Sequence, residues 1–246
     1  MRNTYFQFKE FTVHQHKSGM KVCTDSCLFG AWIAYKIALS SSENSSHIGP
    51  EKILDIGTGT GLISLMLAQK STAQIQAVEI EVNAFEQAKE NFISSTWADR
   101  LKAIHSDIKE FNPAEKFDLI ISNPPFFEHD LKSAAHHKNL AKHHDGLLLK
   151  DLLISIENLL AGNGKFALLI PFHRDAEVIS LAEKQGFFLE ERILVKQTPR
   201  HNYFRVMHLF SREKKDIISA EITIKNEEDL YSEEFQFLLR DYYLRV

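Results

Sequence analysis

Apolar and polar positions change their period several times along this chain. Residues 5–16 alternate between apolar and polar, which predicts a short β-element lying over a sheet. Thr24 then stands as an N-cap before a helix from about Asp25 to Leu39. Ser40 to Pro50 is serine-rich, ends in Gly49-Pro50 and reads as a loop. From Lys52 onward, short continuous apolar runs alternate with segments of helical period. The apolar runs are Lys52–Ile56, Ile75–Ile80, Leu101–His105, Phe117–Ser122 and Gly164–Ile170. Between and after them, Leu62–Ala68, Val82–Ser95, Gly146–Leu160 and Arg174–Lys184 read as helices. Gly186 is placed to end the last of these. Such alternation implies a doubly wound α/β fold, a mostly parallel sheet joined by right-handed crossovers. The final two strand runs, Phe187–Val195 and Tyr203–Phe210, have no helix between them. They predict an antiparallel hairpin at one sheet edge.

Composition narrows this picture without changing it. The chain has 246 residues, 44% of them hydrophobic and 25% charged, enough for one sizeable core. The expectation is a single domain, 1–246, with 1–50 lying over the site and 51–246 forming the core. Cys23 and Cys27 stand one helical turn apart and match no zinc spacing, so they read as structural thiols in a reducing compartment. No run approaches a membrane-spanning length, and the N-terminus lacks an apolar signal core. A cytoplasmic protein with no membrane partner is expected. The net charge of −4 argues against broad coating of nucleic acid, but the charge is unevenly placed. Lys196, Arg200, His201 and Arg205 form one basic cluster. Lys132, Lys138 and Lys142 form another among His129, His136, His137, His143 and His144, while acid gathers at Glu227–Asp229 and Glu233–Glu234.

The candidate chemistry lies at the ends of the apolar runs. Phe117–Ser122 leads into Asn123-Pro124-Pro125-Phe126. The two prolines lack N–H donors and bias the residue before each toward extended backbone. The Asn123 side-chain carbonyl and the Pro124 backbone carbonyl can therefore be fixed as paired acceptors, with the Phe126 ring beside them. An exocyclic –NH2 on a planar heterocycle satisfies all three. Upstream, Asp55-Ile56-Gly57-Thr58-Gly59-Thr60-Gly61 turns from strand into helix. The spacing is G-x-G-x-G, with Leu62 where a dinucleotide fingerprint carries its third glycine. Glu79 follows Gly61 by about eighteen residues, at the tip of the next strand, where a carboxylate can accept from a ribose diol. Asp107, at the tip of the third strand, can accept from an adenine amino group, with the Ile108 N–H facing the ring.

In this order and spacing the chain resembles the class I S-adenosylmethionine-dependent methyltransferases, in the Asn-Pro-Pro-Phe branch that methylates amino or amide nitrogen. Two terminal stretches narrow the likeness. Phe11–Gln15 with Met20–Trp32, and Tyr231–Phe235 with Leu238–Leu244, are similar to the bacterial valine-tRNA adenine-N6 methyltransferases. The resemblance implies a seven-stranded sheet of the class I methyltransferase type, its terminal hairpin setting it apart from dehydrogenases. It implies S-adenosyl-L-methionine as cofactor and tRNA as partner; a monomer is expected, and no metal, because the histidines between 129 and 144 match no standard zinc spacing.

Roles follow by the same likeness. Gly57, Gly59 and Gly61 admit the cofactor to the backbone, Asp55 orients that turn, Glu79 holds the ribose, and Asp107 with Ile108 reads the adenine. Lys21, Thr24 and Asp25 lie over the methionine end. Asn123 and Pro124 would bind both N–H groups of the target N6, with Pro125 fixing them. Phe126 would stack on the flipped base, a contact worth roughly 1–3 kcal/mol. Lys138, Lys142, His143, Lys196, Arg200 and Arg205 would contact RNA. Where the family pattern suggests Arg, this chain has Lys138 and Lys142, which keep the charge without the bidentate fork.

Blander readings stand beside these. Asp107 alone could cap the following helix, Phe126 could be core, and the residues near 200 could be a solvated edge that deters aggregation. Glutamine methylation of a protein and guanine-N2 methylation of ribosomal RNA use the same motif. A non-catalytic RNA-binding module on this fold is the reading from another class.

Overall fold

The structure, a computed structural model, describes residues 3–40, 49–124 and 148–245. The chain opens with a small antiparallel pair, β1 (Tyr5–Gln7) and β2 (Thr12–His14). Helix α1 (Thr24–Ser40) follows. The Cys23 carbonyl accepts from the Cys27 N–H, so Cys23 rather than Thr24 stands at the helix entrance, and Thr24 is already helical. Then come β3 (Lys52–Ile56), α2 (Leu62–Lys70), β4 (Gln74–Glu79), α3 (Val82–Ile93), β5 (Leu101–His105) and β6 (Phe117–Ser122). After residue 148 follow α4 (Leu149–Leu159), β7 (Leu160–Pro171), a tight turn at Phe172–Arg174, and α5 (Asp175–Lys184). The chain finishes with β8 (Phe188–Lys196), β9 (Tyr203–Ser211), β10 (Ile218–Thr223) and α6 (Glu233–Leu239).

Eight strands form the main sheet, in the order β10-β8-β9-β7-β6-β3-β4-β5. Only β9 runs against its neighbours. The sheet is thus doubly wound and mostly parallel, with one strand more than the seven expected. The extra strand, β10, pairs parallel to β8, so the β8–β9 hairpin does not form the edge. Nor does β8 lie against β7, because β9 inserts between them.

Parallel strands covered on both faces read as near-continuous apolar runs, and the interiors of β3 and β6 do apart from Asp55 and Asp118. Ile53, Leu119, Ile121, Ala167 and Met207 face a core closed by α1, α2, α3 and α6. Leu54, Ile56, Ile120, Phe166 and Ile170 face the opposite core, closed by α4 and α5. Both termini join the first layer. Lys9 N donates to Tyr242 O at 2.8 Å, and Tyr242 Oη donates to Met66 O at 3.1 Å. The rings of Phe6 and Phe8 pack on Tyr243.

From β3 the chain winds one way, to β4 and β5; β6 and β7 lie on the other side. The strand order therefore reverses between β3 and β6, where ligands bind in open α/β sheets. Ile56 stands level with Ser122 there, and Ser122 Oγ donates to the Ile56 carbonyl at 2.8 Å. Gly57 and Asn123 are the next residues along each strand.

Candidate active site

The glycine-rich turn leaves β3 with Gly57 N donating to Val78 O at 2.8 Å. Gly57, Gly59 and Gly61 all have positive φ, between 59° and 81°, a region that penalises any Cβ. At Gly57 and Gly59 a Cβ would meet nothing within 4 Å, so the turn faces open space. At Gly61 it would lie 2.5 Å from Phe92 Cε1, so this glycine serves the approach of α3 instead.

Asp55 is fully buried behind the turn. One of its oxygens accepts from Thr58 Oγ1 at 2.6 Å and from Ser64 Oγ at 2.7 Å. Burial pushes its carboxyl up to about 6, against the lowering effect of those two hydroxyls. Glu79 ends β4 and is buried. Its Oε2 accepts from Gly59 N at 2.8 Å and its Oε1 from Glu81 N at 2.9 Å. Glu79 thus ties the turn to the start of α3 and keeps further lone pairs for a ligand. Asp107 follows β5; its Oδ1 accepts from Lys109 N at 2.9 Å, which closes a turn rather than capping a helix. Oδ2 keeps only a loose ion pair, 3.6 Å from Lys109 Nζ, and Ile108 is buried beside it.

The opposite wall is built from distant parts of the chain. Asn123 Nδ2 donates to Ser26 Oγ, in the first turn of α1, at 2.8 Å. Ser26 Oγ also lies 3.0 Å from Cys23 Sγ. Asp25 pairs with Arg205 of β9 at 2.9 Å. The N-terminus of α1 is therefore fastened over the carboxyl ends of β6 and over β9. Desolvation of the sulfur and the adjacent Asp25 carboxylate push the Cys23 thiol up to about 11 although the residue as a whole is exposed, burial pushes the Cys27 thiol up to about 12, and both cysteines are free. Lys21 is held within its own loop, its Nζ donating to the carbonyls of Gln15 and Ser18.

The structure thus gathers Asp55, Gly57, Gly59, Gly61, Glu79, Asp107, Ile108, Asn123 and Pro124 along one end of the sheet, with Thr24 and Asp25 above. Pro125, Phe126, Lys138, Lys142 and His143 lie outside the described residues, as do His129, His136, His137 and His144. The basic cluster on the hairpin is divided. Lys196 pairs with Glu221 at 3.3 Å and sits over the Tyr203 ring, and Arg205 is committed to Asp25. Arg200 and His201 are exposed. The pairing of Lys196 and Arg205 fits an internally neutralised edge better than a free cationic surface.

Sequence reasoning missed the residues that hold the wall. Ser26, Thr58 and Ser64 carry one hydroxyl each and give no pattern. Asn91 joins them: it is buried, accepts from His14 N at 2.9 Å, and donates to His14 O and Thr60 O at 2.8 Å each. It thereby fastens β2 to the glycine-rich turn. A signal existed there, since Gln87 and Asn91 are polar residues one turn apart on a face shared with Ala84 and Ala88.

The sheet order, the open glycine turn, the carboxylate at the tip of β4 and the amide at the tip of β6 define a class I methyltransferase. Gly57 and Gly59 leave room beside the backbone, and Glu79 offers a carboxylate, as S-adenosyl-L-methionine requires. The chain belongs to the methyltransferase small domain family, whose model matches residues 39–182, and its full-length relatives narrow the branch. It is 39% identical over 251 residues to the tRNA1(Val) (adenine(37)-N6)-methyltransferase of Christiangramia forsetii, covering 100% of both chains. It is 40% identical over 249 residues to the protein of the same name from Parabacteroides distasonis, again over 100% of both. Among solved structures, a predicted O-methyltransferase from Agrobacterium tumefaciens superposes with a TM-score of 0.66 at 16% identity, covering 88% of this chain and 96% of that one. That likeness speaks for the fold.

Proposed function

We propose that this protein transfers a methyl group from S-adenosyl-L-methionine to the exocyclic N6 of an adenine in a tRNA anticodon loop, the adenine 3′ of the anticodon of valine tRNA. The observation that carries this reading is full-length similarity, at about two residues in five, to proteins named for that reaction. It favours adenine in tRNA over guanine in ribosomal RNA and over a protein glutamine.

The cofactor supplies a methyl group on a positively charged sulfur, already activated for transfer. What the chain must add is position. Gly57 and Gly59 bring the backbone close, Glu79 receives the ribose hydroxyls, and Asp107 with Ile108 borders the adenine. Asn123 Oδ1 and the Pro124 carbonyl accept the two N–H groups of the target amine. Both acceptors together pull the nitrogen toward sp3, which takes its lone pair out of conjugation with the ring and aims it at the methyl group. No strong base is needed, because the methylated nitrogen is acidic and loses its proton to water. The target base leaves its stack to enter, which an anticodon loop permits most easily. Pro125 and Phe126 continue the motif, with Phe126 as the stacking ring. Lys138, Lys142, His143 and Arg200 are the RNA contacts this reading retains, with Lys21 and Thr24 near the methionine end. Among the described residues no helix is long and apolar enough to cross a membrane.

The test is direct. The protein is incubated with labelled cofactor and total tRNA from cells lacking the gene, and the modified nucleoside is mapped by mass spectrometry. N6-methyladenosine at the position 3′ of the valine anticodon is expected. Label in guanine, in ribosomal RNA or in protein would overturn the reading.

A further inference from the structure

We infer that Ser26 is a positioning residue for the methyl-transfer step: its hydroxyl holds the Asn123 amide so that Oδ1, and not Nδ2, faces the target amine. The inference rests on the proposed function and deepens it. An asparagine amide has an acceptor end and a donor end of nearly equal size. Turned the wrong way, Asn123 presents N–H groups to a substrate that itself offers N–H groups, and two donors repel. The orientation therefore has to be imposed by a neighbour. Asn123 Nδ2 donates to Ser26 Oγ at 2.8 Å, which leaves Oδ1 for the site.

A serine hydroxyl can also donate, so it enforces this orientation only if its own proton is engaged elsewhere. Cys23 Sγ, 3.0 Å from Ser26 Oγ, provides that second partner. Either atom of that contact can donate, and with the Ser26 O–H directed to the sulfur the hydroxyl lone pairs stay free for the amide. Both residues are held by the α1 entrance, where Ser26 N donates to Asp25 Oδ1 at 3.0 Å and Asp25 pairs with Arg205. Ser26 itself is buried, so water does not readily replace the missing hydroxyl in a truncated variant.

The experiment uses the full chain, a valine tRNA transcript and S-adenosyl-L-methionine. Ser26→Ala is expected to lower kcat about tenfold, the kinetic equivalent of one hydrogen bond, with tRNA KM and calorimetric cofactor affinity within about twofold. Ser26→Thr, which keeps the hydroxyl, restores most of kcat. In nuclear magnetic resonance spectra, the Asn123 side-chain amide signal, identified by its loss in Asn123→Ala, shifts in Ser26→Ala and stays in place in Ser26→Thr. An unmoved amide signal with unchanged kcat would overturn the inference, as would a KM effect that Thr does not rescue. Wild-type protein that methylates no tRNA would instead remove the proposed function, while the amide signal would still report the Ser26 contact.

Discussion

The two walls of the site are held in different ways. On the glycine-rich side the two carboxylates are fastened within the stretch from Asp55 to Glu81. Asp55 is bound by Thr58 and Ser64, and Glu79 by Gly59 and Glu81. On the asparagine side the ties cross the whole fold: Asn123 reaches Ser26, and Arg205 reaches Asp25. The glycine-rich wall forms once β3, α2 and β4 have folded together. The other wall exists only when α1, β6 and β9 have all come together. The orientation of Asn123 should therefore depend on α1, whereas the hydrogen bonds that set the glycine-rich turn should not.

The largest separation of the two is expected from Asn123→Ala. Removing the acceptor should lower kcat by about 100-fold or more, the scale of losing one preorganised transition-state contact. Cofactor affinity by calorimetry should stay within about twofold, since Asn123 belongs to the other wall. Parallel loss of both would break the comparison. Glu79→Ala should do the reverse, weakening cofactor binding about tenfold or more, because the Gly59 and Glu81 N–H groups lose a buried acceptor along with the ribose contact. Glu79→Gln should recover little. Its amide nitrogen would face one of those two N–H donors. Unchanged affinity in either variant would take Glu79 out of the cofactor site.

The same division explains what could be read from the chain alone. β3 and β6 announce themselves because most of their positions on both faces are buried and apolar, and β4 because Ile75, Ala77 and Val78 are. Gly57, Gly59, Glu79 and Asn123 follow directly at or beyond their ends, so their clustering follows from the order of elements. β10 was not foreseen, because its burial is exposed over four positions and only pairing with β8 defines it. Helix α6, seven residues capped by Ser232, is too short to show a period. The fate of Arg205 was hidden for another reason. A basic residue beside Arg200 and His201 looks like a nucleic-acid contact until the fold supplies Asp25, 180 residues away.

Arg205 and Asp25 offer a sharper probe of the long-range wall. Arg205→Ala should cost about 1 kcal/mol, near the upper end for a partly exposed ion pair. In a chain of this size that lowers Tm by about 2–4 °C. Asp25→Asn should cost a similar amount, and the double variant little more than either alone. Additive losses in thermal unfolding would mean that the two side chains stabilise the fold separately, and that this tie does not fasten α1.

The smallest effect concerns the local wall and is read from pH. Asp55 is held near 6 by burial, above the usual carboxylate value of 3.8. The folded protein thus binds this proton more tightly than the unfolded chain does. Its contribution to stability falls as pH rises from about 4 to about 6, and above 6 the full cost of the buried charge is present. Between pH 7 and pH 5 the cofactor-free protein should gain about 1 kcal/mol from this residue. His208 acts in the opposite direction. Burial holds its imidazole below the usual value despite Asp175 at 2.8 Å, so it resists acid protonation in the fold and costs stability as pH falls through about 6.5. The two must be separated by difference. Denaturant unfolding of wild type and Asp55→Asn at both pH values isolates the Asp55 share, because His208 is common to both. Asn at 55 keeps an oxygen to accept from Thr58 or Ser64 and carries no charge, so the pH 5 advantage should shrink in the variant. An equal pH response in the two proteins would mean that Asp55 ionises in the fold as it does in the open chain, and that the turn is wetter than its hydrogen bonds imply.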